Sequence, residues 1–362
     1  MLDSAIDDAV SQALAVVPRE HYAGHAETGR VPHSTAPAAV ERDLRRAGIG
    51  PGMRVLEIGT GTGYTGAVLA AVVGDAGRVV SMDINPPLID RAATLHARRG
   101  VSNVILRAAD GHLGVPEHGP YDAVVAWASP TEIPSAWVEQ CRTGARVCSP
   151  VYLAPVAGAT GHLCAVVGDG ADLRDPRLAP AFYTDMGTEA VPDFGAPVHY
   201  VDAHDDLAGG GVVWVSTAWR GQYPGHDPVT TLAMLRDPEY TEAVALGDTQ
   251  EDRAIAWRRF RSYCTGRDPS NLTSYGTVGS ALVSAIGFSS GMNAAALTSD
   301  GELIANGFDS PALTKVRDYF AEWEAGGRPG VETLRPVLRS TGTGWQVRTT
   351  PTRLARRRPA TR

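Results

Sequence analysis

Residues 55–64 read Val-Leu-Glu-Ile-Gly-Thr-Gly-Thr-Gly-Tyr, and this run decides the fold. Arg54 to Glu57 form the end of a buried strand, Gly59, Gly61 and Gly63 make a turn, and Tyr64 to Val73 (YTGAVLAAVV) continues as an apolar helix. A strand that turns through glycines into a helix brings backbone N–H groups up to a ligand, because no Cβ blocks the approach. A second strand, Arg78 to Met82, then ends at Asp83, where a carboxylate can accept hydrogen bonds from the two hydroxyls of a ribose. Thr60 and Tyr64 in the loop and Ile84 after the acid complete the candidate binding set around this nucleoside site.

The details select the nucleoside. A dinucleotide fingerprint spaces its glycines G-x-G-x-x-G and seats a pyrophosphate over the helix N-terminus. Here the spacing is G-x-G-x-G, and Glu57 precedes it within the strand. A carboxylate there repels a pyrophosphate and attracts a cationic amino-acid moiety, directly or through water. The expected cofactor is S-adenosyl-L-methionine rather than NAD.

Outward from this run, elements alternate. Pro87 to Arg99 is expected as a helix stopped at Gly100, and Asn103 to Arg107 as a strand followed by Ala109-Asp110-Gly111. Tyr121 to Trp127 is the next strand, Pro134 to Cys141 a short helix, and Ala145 to Val151 another strand. Such alternation predicts an α/β fold with a doubly wound, mostly parallel sheet and its site at the strand C-termini. Asp110 stands at such an end, where it and the N–H of Gly111 can read an adenine edge; a plain turn aspartate before glycine is the other reading. Upstream, Ile6, Val10, Leu14 and Val17 share a helical spacing, Arg19 to Pro37 reads as loop, and Ala38 to Ala47 as helix.

Methyl transfer from a sulfonium asks the protein mainly to align donor and acceptor. A nitrogen acceptor usually needs a [DN]-P-P-[YF] clamp after the fourth strand, and Ala126-Trp127-Ala128-Ser129-Pro130 stands there instead. Asn85-Pro86-Pro87 follows the Asp83 strand and only starts a helix. A carboxylate acceptor, already anionic at neutral pH, needs no base to deprotonate it.

Composition bounds the class. A chain of 362 residues is ample for two domains, and a formal net charge of −7 argues against a general nucleic-acid partner. The start, MLDSAIDDAV, carries acids where a secretory segment needs positive charge, and no long apolar span follows, so a soluble cytoplasmic protein without membrane attachment is expected. The four cysteines, Cys141, Cys148, Cys164 and Cys264, have no zinc spacing and are expected to be free and buried. His199, His204 and His226 read as solvated loop residues, and no metal site is expected.

These residues resemble one family. Val17-Pro18-Arg19-Glu20, Ser34-Thr35-Ala36-Pro37, LEIGTGTGY, Ala109-Asp110-Gly111, Tyr121–Trp127 and Glu132-Ile133-Pro134 follow the order and spacing of protein-L-isoaspartate O-methyltransferases, over about half of the chain. The resemblance implies a class I methyltransferase Rossmann-like sheet and an enzyme that methylates a peptide β-carboxylate. It also implies that Thr35, or Ser34 if the register slips by one, lies beside the acceptor carboxylate. The methyl ester then closes to a succinimide, which water opens to aspartate or isoaspartate.

The chain also departs from that family. Only sixteen residues separate Pro18 from Thr35, and an aromatic-acid pair and a Pro-Ile-Gly run are missing there. The domain expected at 1–195 is followed by an α+β module at 196–345 and a basic, disordered tail at 346–362, with six arginines after Val347. In the module Val212–Ser216, Ala281–Phe288, Met292–Leu297 and Glu302–Ala305 read as strands. A helix follows Ser310-Pro311, with Leu313, Val316, Phe320 and Trp323 on one face. This enlarged form resembles a branch that modifies aspartate in ribosomally made precursor peptides of the lanthipeptide, graspetide and imide-containing kinds. The module would help grip the peptide, and the tail is either solvated or docks an acidic peptide. The alternatives are repair of L-isoaspartyl residues in damaged proteins, methylation of a small-molecule carboxylate, and cofactor-dependent peptide recognition without transfer. Nothing in the sequence sets the oligomeric state.

Overall fold

The computed structural model describes residues 2–24, 35–189, 196–208, 210–223, 225–279 and 283–351. The chain opens with α1 (Leu2–Val16), α2 (Arg19–Ala23) and α3 (Pro37–Ala47), followed by β1 (Arg54–Ile58), α4 (Tyr64–Val73), β2 (Arg78–Asp83), α5 (Pro86–Arg98) and β3 (Val104–Ala108). Next come β4 (Tyr121–Ala126), the two-residue strands β5 (Ala128–Ser129) and β6 (Ile133–Pro134), α6 (Ser135–Glu139), β7 (Cys141–Tyr152), β8 (Thr160–Val167), β9 (Leu173–Pro180) and β10 (Thr184–Asp185). The start of the expected loop after Pro18 is thus a short helix, α2, too brief to leave a periodic signal.

One seven-stranded sheet runs β3-β2-β1-β4-β7-β8-β9. Its first five strands are parallel; β8 is antiparallel to β7, and β9, antiparallel to β8, runs with the first five again. The alternation of strand side chains builds a core on each face. Leu56, Val80 and Val124 pack into one core with Trp137; Val55, Val79, Ala123 and Val125 pack into the other with Leu69 and Val40. This is the class I methyltransferase arrangement, with the strand C-termini of β1, β2 and β4 at one edge. The edge of the sheet is β9, and β10 pairs outside it with β5.

Two of the cysteines correct the sequence reading. Cys148 and Cys164 are register partners on β7 and β8 and are joined as a disulfide, while Cys141 and Cys264 are free. A cross-strand pair has no spacing signature, because its separation depends only on the length of the connection between the strands.

The second module holds β11 (Ala203–Asp206), β12 (Gly211–Thr217), α7 (Pro228–Arg236), β13 (Tyr240–Ala243), α8 (Gln250–Arg267), β14 (Leu272–Gly279), β15 (Val283–Ser290), β16 (Asn293–Thr298), β17 (Glu302–Ala305) and α9 (Pro311–Ala325). Its antiparallel sheet, β11-β12-β14-β15-β16-β17-β13, has α8 and α9 on one face and α7 on the other. Thr249 and Asp252 form a capping box that starts α8. The modules are not strung loosely together. Ala154, Val156 and Ala159, from the β7–β8 connection, sit in the second module's core. Arg220 reaches from that module to the Pro155 carbonyl (2.6 Å), and its Nε meets Asp202 at 2.6 Å.

The chain then returns to the first module. A final hairpin, β18 (Leu334–Ser340) and β19 (Gly344–Pro351), pairs through Trp345 with Ile133 of β6, and its Val347 and Leu334 join the core around Trp137. Residues 344–351 are therefore strand, where the sequence placed the start of a tail at 346; residues 352–362 lie outside the described residues. No helix among the described residues is long and apolar enough to cross a membrane.

Candidate active site

The site is built on the turn after β1. Gly59 and Thr60 donate their N–H groups to the Met82 carbonyl (2.8 and 2.9 Å), which ties the turn to the end of β2. Gly61 (φ +50°) and Gly63 (φ +81°) have left-handed backbones. A Cβ on Gly63 would lie 2.9 Å from the Cβ of Ala92, so α5 packs against a bare backbone there. A Cβ on Gly61 would meet nothing within 4 Å, because that side of the loop faces a cavity. His96, buried on α5, donates from Nε2 to the Gly63 carbonyl at 2.9 Å and fixes the loop from behind.

That cavity has a volume of about 270 Å³. Its floor is Gly59 to Thr62 with Tyr64 and Thr65 of α4; Asp83, Ile84, Asn85 and Leu88 form one end. Arg19, Ala23 and Thr35 stand at another side, and Trp127, Ala128 and the 184–187 segment with Glu189 complete the wall. Asp83 holds two backbone donors, Gly61 N–H on Oδ2 (2.8 Å) and Asn85 N–H on Oδ1 (3.0 Å). Burial pushes its carboxyl above the ordinary range, and these donors oppose the shift.

The structure thus brings Thr35, Gly59, Thr60, Gly61, Tyr64, Asp83, Ile84 and Gly111 to one cavity. Gly63 supports it from behind, and Ser34 lies outside the described residues. Besides Gly63, two expected ligand residues do not line it. Glu57 is fully buried behind the loop, its Oε2 accepting from Ser81 Oγ (2.6 Å) and its Oε1 from Trp127 Nε1 (2.9 Å). The side chain fits because Gly66 carries no Cβ; one there would lie 2.9 Å from Glu57 Oε2. Burial raises the Glu57 pKa despite these bonds, and its two carboxylate oxygens meet Ser81 and the wall residue Trp127. Asp110 is the second. Its Oδ1 accepts from the His112 backbone N–H (2.9 Å) and meets His112 Nδ1 (2.7 Å), capping a 3-10 turn, so Gly111 faces the cavity without it.

The loop geometry suits S-adenosylmethionine. The open side of Gly61 gives a close backbone approach, Asp83 stands where ribose hydroxyls would reach, and Ile84, Leu88 and Gly111 offer apolar surface to a base.

Sequence reasoning missed Arg19, Trp127 and the wall from Thr184 to Glu189. Asp185 holds that wall: Tyr152 Oη donates to its Oδ1 (2.5 Å), and the N–H groups of Val198 (2.9 Å) and His199 (3.3 Å) donate to Oδ2. His199, read from sequence as solvated, instead packs edge-on to Tyr152 and donates from Nε2 to the Met186 carbonyl. Beside the wall lies a buried polar cluster on α3 and β8. Asp43 accepts two bonds from Arg42 (both 2.7 Å) and one from Tyr183 Oη, with buried His162 3.5 Å away.

Fold and site together define an S-adenosylmethionine-dependent class I methyltransferase. A profile of the protein-L-isoaspartate(D-aspartate) O-methyltransferase family matches residues 3–157. A protein-L-isoaspartate O-methyltransferase of Methanothrix thermoacetophila is 35% identical over 210 residues, covering 54% of this chain and 91% of that protein. The Thermotoga maritima enzyme of the same name is 40% identical over 120 residues, covering 33% of this chain and 38% of that protein's length. A solved protein-L-isoaspartate O-methyltransferase covers 92% of each chain at 20% identity with a TM-score of 0.47. Another, described as a putative enzyme of that type from Plasmodium falciparum in complex with S-adenosyl-L-homocysteine, covers 50% of this chain and 91% of that one at 16% identity, TM-score 0.43. The chain belongs to the protein-L-isoaspartate O-methyltransferase family.

Proposed function

We propose that this chain methylates the side-chain carboxylate of an aspartyl-derived residue in a partner peptide. The observation that carries this reading is that Thr35, on the acceptor motif, lines the same cavity as the glycine loop and Asp83. S-adenosylmethionine, when bound, supplies the methyl group. The chain's own residues do the rest by alignment, which is where most of the rate of such a displacement comes from. Gly61 and Asp83 hold the donor end, Thr35 donates its hydroxyl to the acceptor carboxylate, and Trp127, fixed by Glu57, closes the wall and excludes water.

Two acceptors come under this reading. The names of the relatives favour L-isoaspartate in damaged proteins. The second module and the short Pro18–Thr35 connection favour an aspartate in one dedicated, ribosomally made precursor, ending as aspartimide or isoaspartate. In that reading the module grips the peptide, since its sequence-adjacent segment, Val198 and His199, is bonded to the cavity wall at Asp185.

Replacing Thr35 and Ser34 together with alanine is expected to leave cofactor binding intact and slow methyl transfer by about ten- to a hundredfold, the size of a lost positioning bond. A folded double variant that binds cofactor and methylates at the wild-type rate would remove Thr35 from the site.

A further inference from the structure

We infer that Arg19 is the residue that receives the acceptor's carboxylate, and that it thereby sets the preference for an acid over a neutral side chain. The inference rests on the carboxyl methyltransferase reading above.

Charge around the cavity is lopsided. Asp83, Asp185 and Glu189 all line it, and each repels an incoming carboxylate. Among the described residues lining the cavity, Arg19 carries the only cationic side chain. It is also next to the acceptor motif: Arg19 Nη2 donates to the Thr35 carbonyl at 3.1 Å, which places the guanidinium beside the residue proposed to hold the acceptor. It stands close enough to Tyr64, at the start of α4, to pull that phenol down against the upward push of burial. The guanidinium therefore stands at the acceptor motif, on a cavity that Tyr64 of the glycine-loop helix also lines. A planar guanidinium and a carboxylate match in shape as well as charge.

The position of Arg19 is built. α2 (Arg19–Ala23) buries Tyr22 and Ala23, and Arg91 of α5 donates to the carbonyls of Tyr22 (2.5 Å), Gly24 (2.9 Å) and Thr62 (3.0 Å). One arginine thus clamps α2 to the glycine loop and holds Arg19 at a fixed distance from the cofactor end.

The chemistry predicts how Arg19 contributes. As a carboxylate oxygen takes up the methyl group, the S–CH3 bond breaks with its electron pair going to sulfur, and the acceptor's negative charge disappears. The ion pair is strongest before transfer and gone after it. Arg19 therefore favours the bound acid more than the transition state, which appears in KM rather than in kcat, and it lets the neutral ester leave.

The test uses the full-length protein loaded with S-adenosyl-L-homocysteine and a fluorescent peptide in two forms, one with the acceptor carboxylate and one with the matching carboxamide. Wild type should bind the carboxylate form about 10- to 100-fold tighter, the range expected for a charge-assisted contact. Arg19→Gln should bind both forms equally, raise KM for the methylated peptide by a similar factor, and change kcat at most about threefold. Arg19→Lys should restore part of the preference, and both variants should bind S-adenosyl-L-homocysteine as wild type does, which shows that they fold. Undiminished discrimination by Arg19→Gln overturns the role of Arg19 while leaving the function standing. A wild type that binds neither form and methylates no carboxylate overturns both.

Discussion

Gly63→Ala is expected to lower stability by about 2–5 kcal/mol and to weaken S-adenosylmethionine binding at least about tenfold. Two costs add at this residue. An alanine must hold φ +81°, which disfavours any Cβ by about 1–2 kcal/mol. Its methyl group also lands 2.9 Å from Ala92 Cβ and 3.3 Å from Ala92 Cα. Ala92 is fully buried on α5, so neither partner has a flexible end that can swing aside, and overpacking of this kind costs about 1–3 kcal/mol. Relief comes only by lifting the loop from α5, which breaks the His96 bond to the Gly63 carbonyl and shifts the loop residues that line the cavity. Gly61→Ala separates the two effects. Its methyl group points into open space, so stability should fall by only about 1 kcal/mol while cofactor affinity falls as far. Thermal unfolding and calorimetric titration with S-adenosyl-L-homocysteine check both variants. Equal stability losses for the two would contradict the packing described for Gly63.

The second large effect is with pH. His162 is fully buried, and neither ring nitrogen has a hydrogen-bond partner in the structure. Burial pushes its pKa down to about 4; the attraction of Asp43 opposes this, and the charges of Arg46 and Arg42 reinforce it. An unfolded histidine titrates near 6.5. Above that pH both states are neutral and His162 contributes no pH dependence. As pH falls from about 6.5 towards 4, the unfolded chain takes up a proton that the folded chain refuses, so stability is lost across that window. Below it both states are protonated and the loss is complete. Between pH 7 and 4.5 the loss from this one residue is roughly 2–3 kcal/mol, a large part of a typical domain's stability. His162→Asn, with no group that titrates there, should start less stable at pH 7 and fall by that much less on acidification. Denaturant midpoints at the two pH values measure the difference. Parallel losses in wild type and variant would mean that His162 is not held neutral.

The first module was legible because its elements announce themselves. The glycine turn, the acid ending β2 and the apolar runs of strands buried on both faces gave β1, α4 and β2 within a residue of their observed ends. What the sequence hid was non-local. Glu57 reads like a cofactor ligand from its place in the motif, yet Gly66, nine positions on, opens the space that takes its carboxylate inward. The return of β19 to β6 joins residues more than two hundred apart, and no local pattern encodes it. Helix α8 was missed because its inner face is partly polar: buried Arg261 donates to the Ala181 carbonyl and stacks on Trp257, and buried Thr265 bonds the Arg261 carbonyl. Arg19 carried only a signature resemblance in a stretch read as loop, so its place at the cavity became visible only in three dimensions.

The most direct measurement is intact mass after incubating the protein and S-adenosylmethionine with matched aspartyl and isoaspartyl peptides, including an acidic peptide encoded beside its gene. The expected result is the gain of one methyl group on a carboxylate-bearing peptide, followed by methanol loss as the ester closes to succinimide, and no gain on the carboxamide control. Tight cofactor binding with no methyl transfer to any of these carboxylates would contradict it.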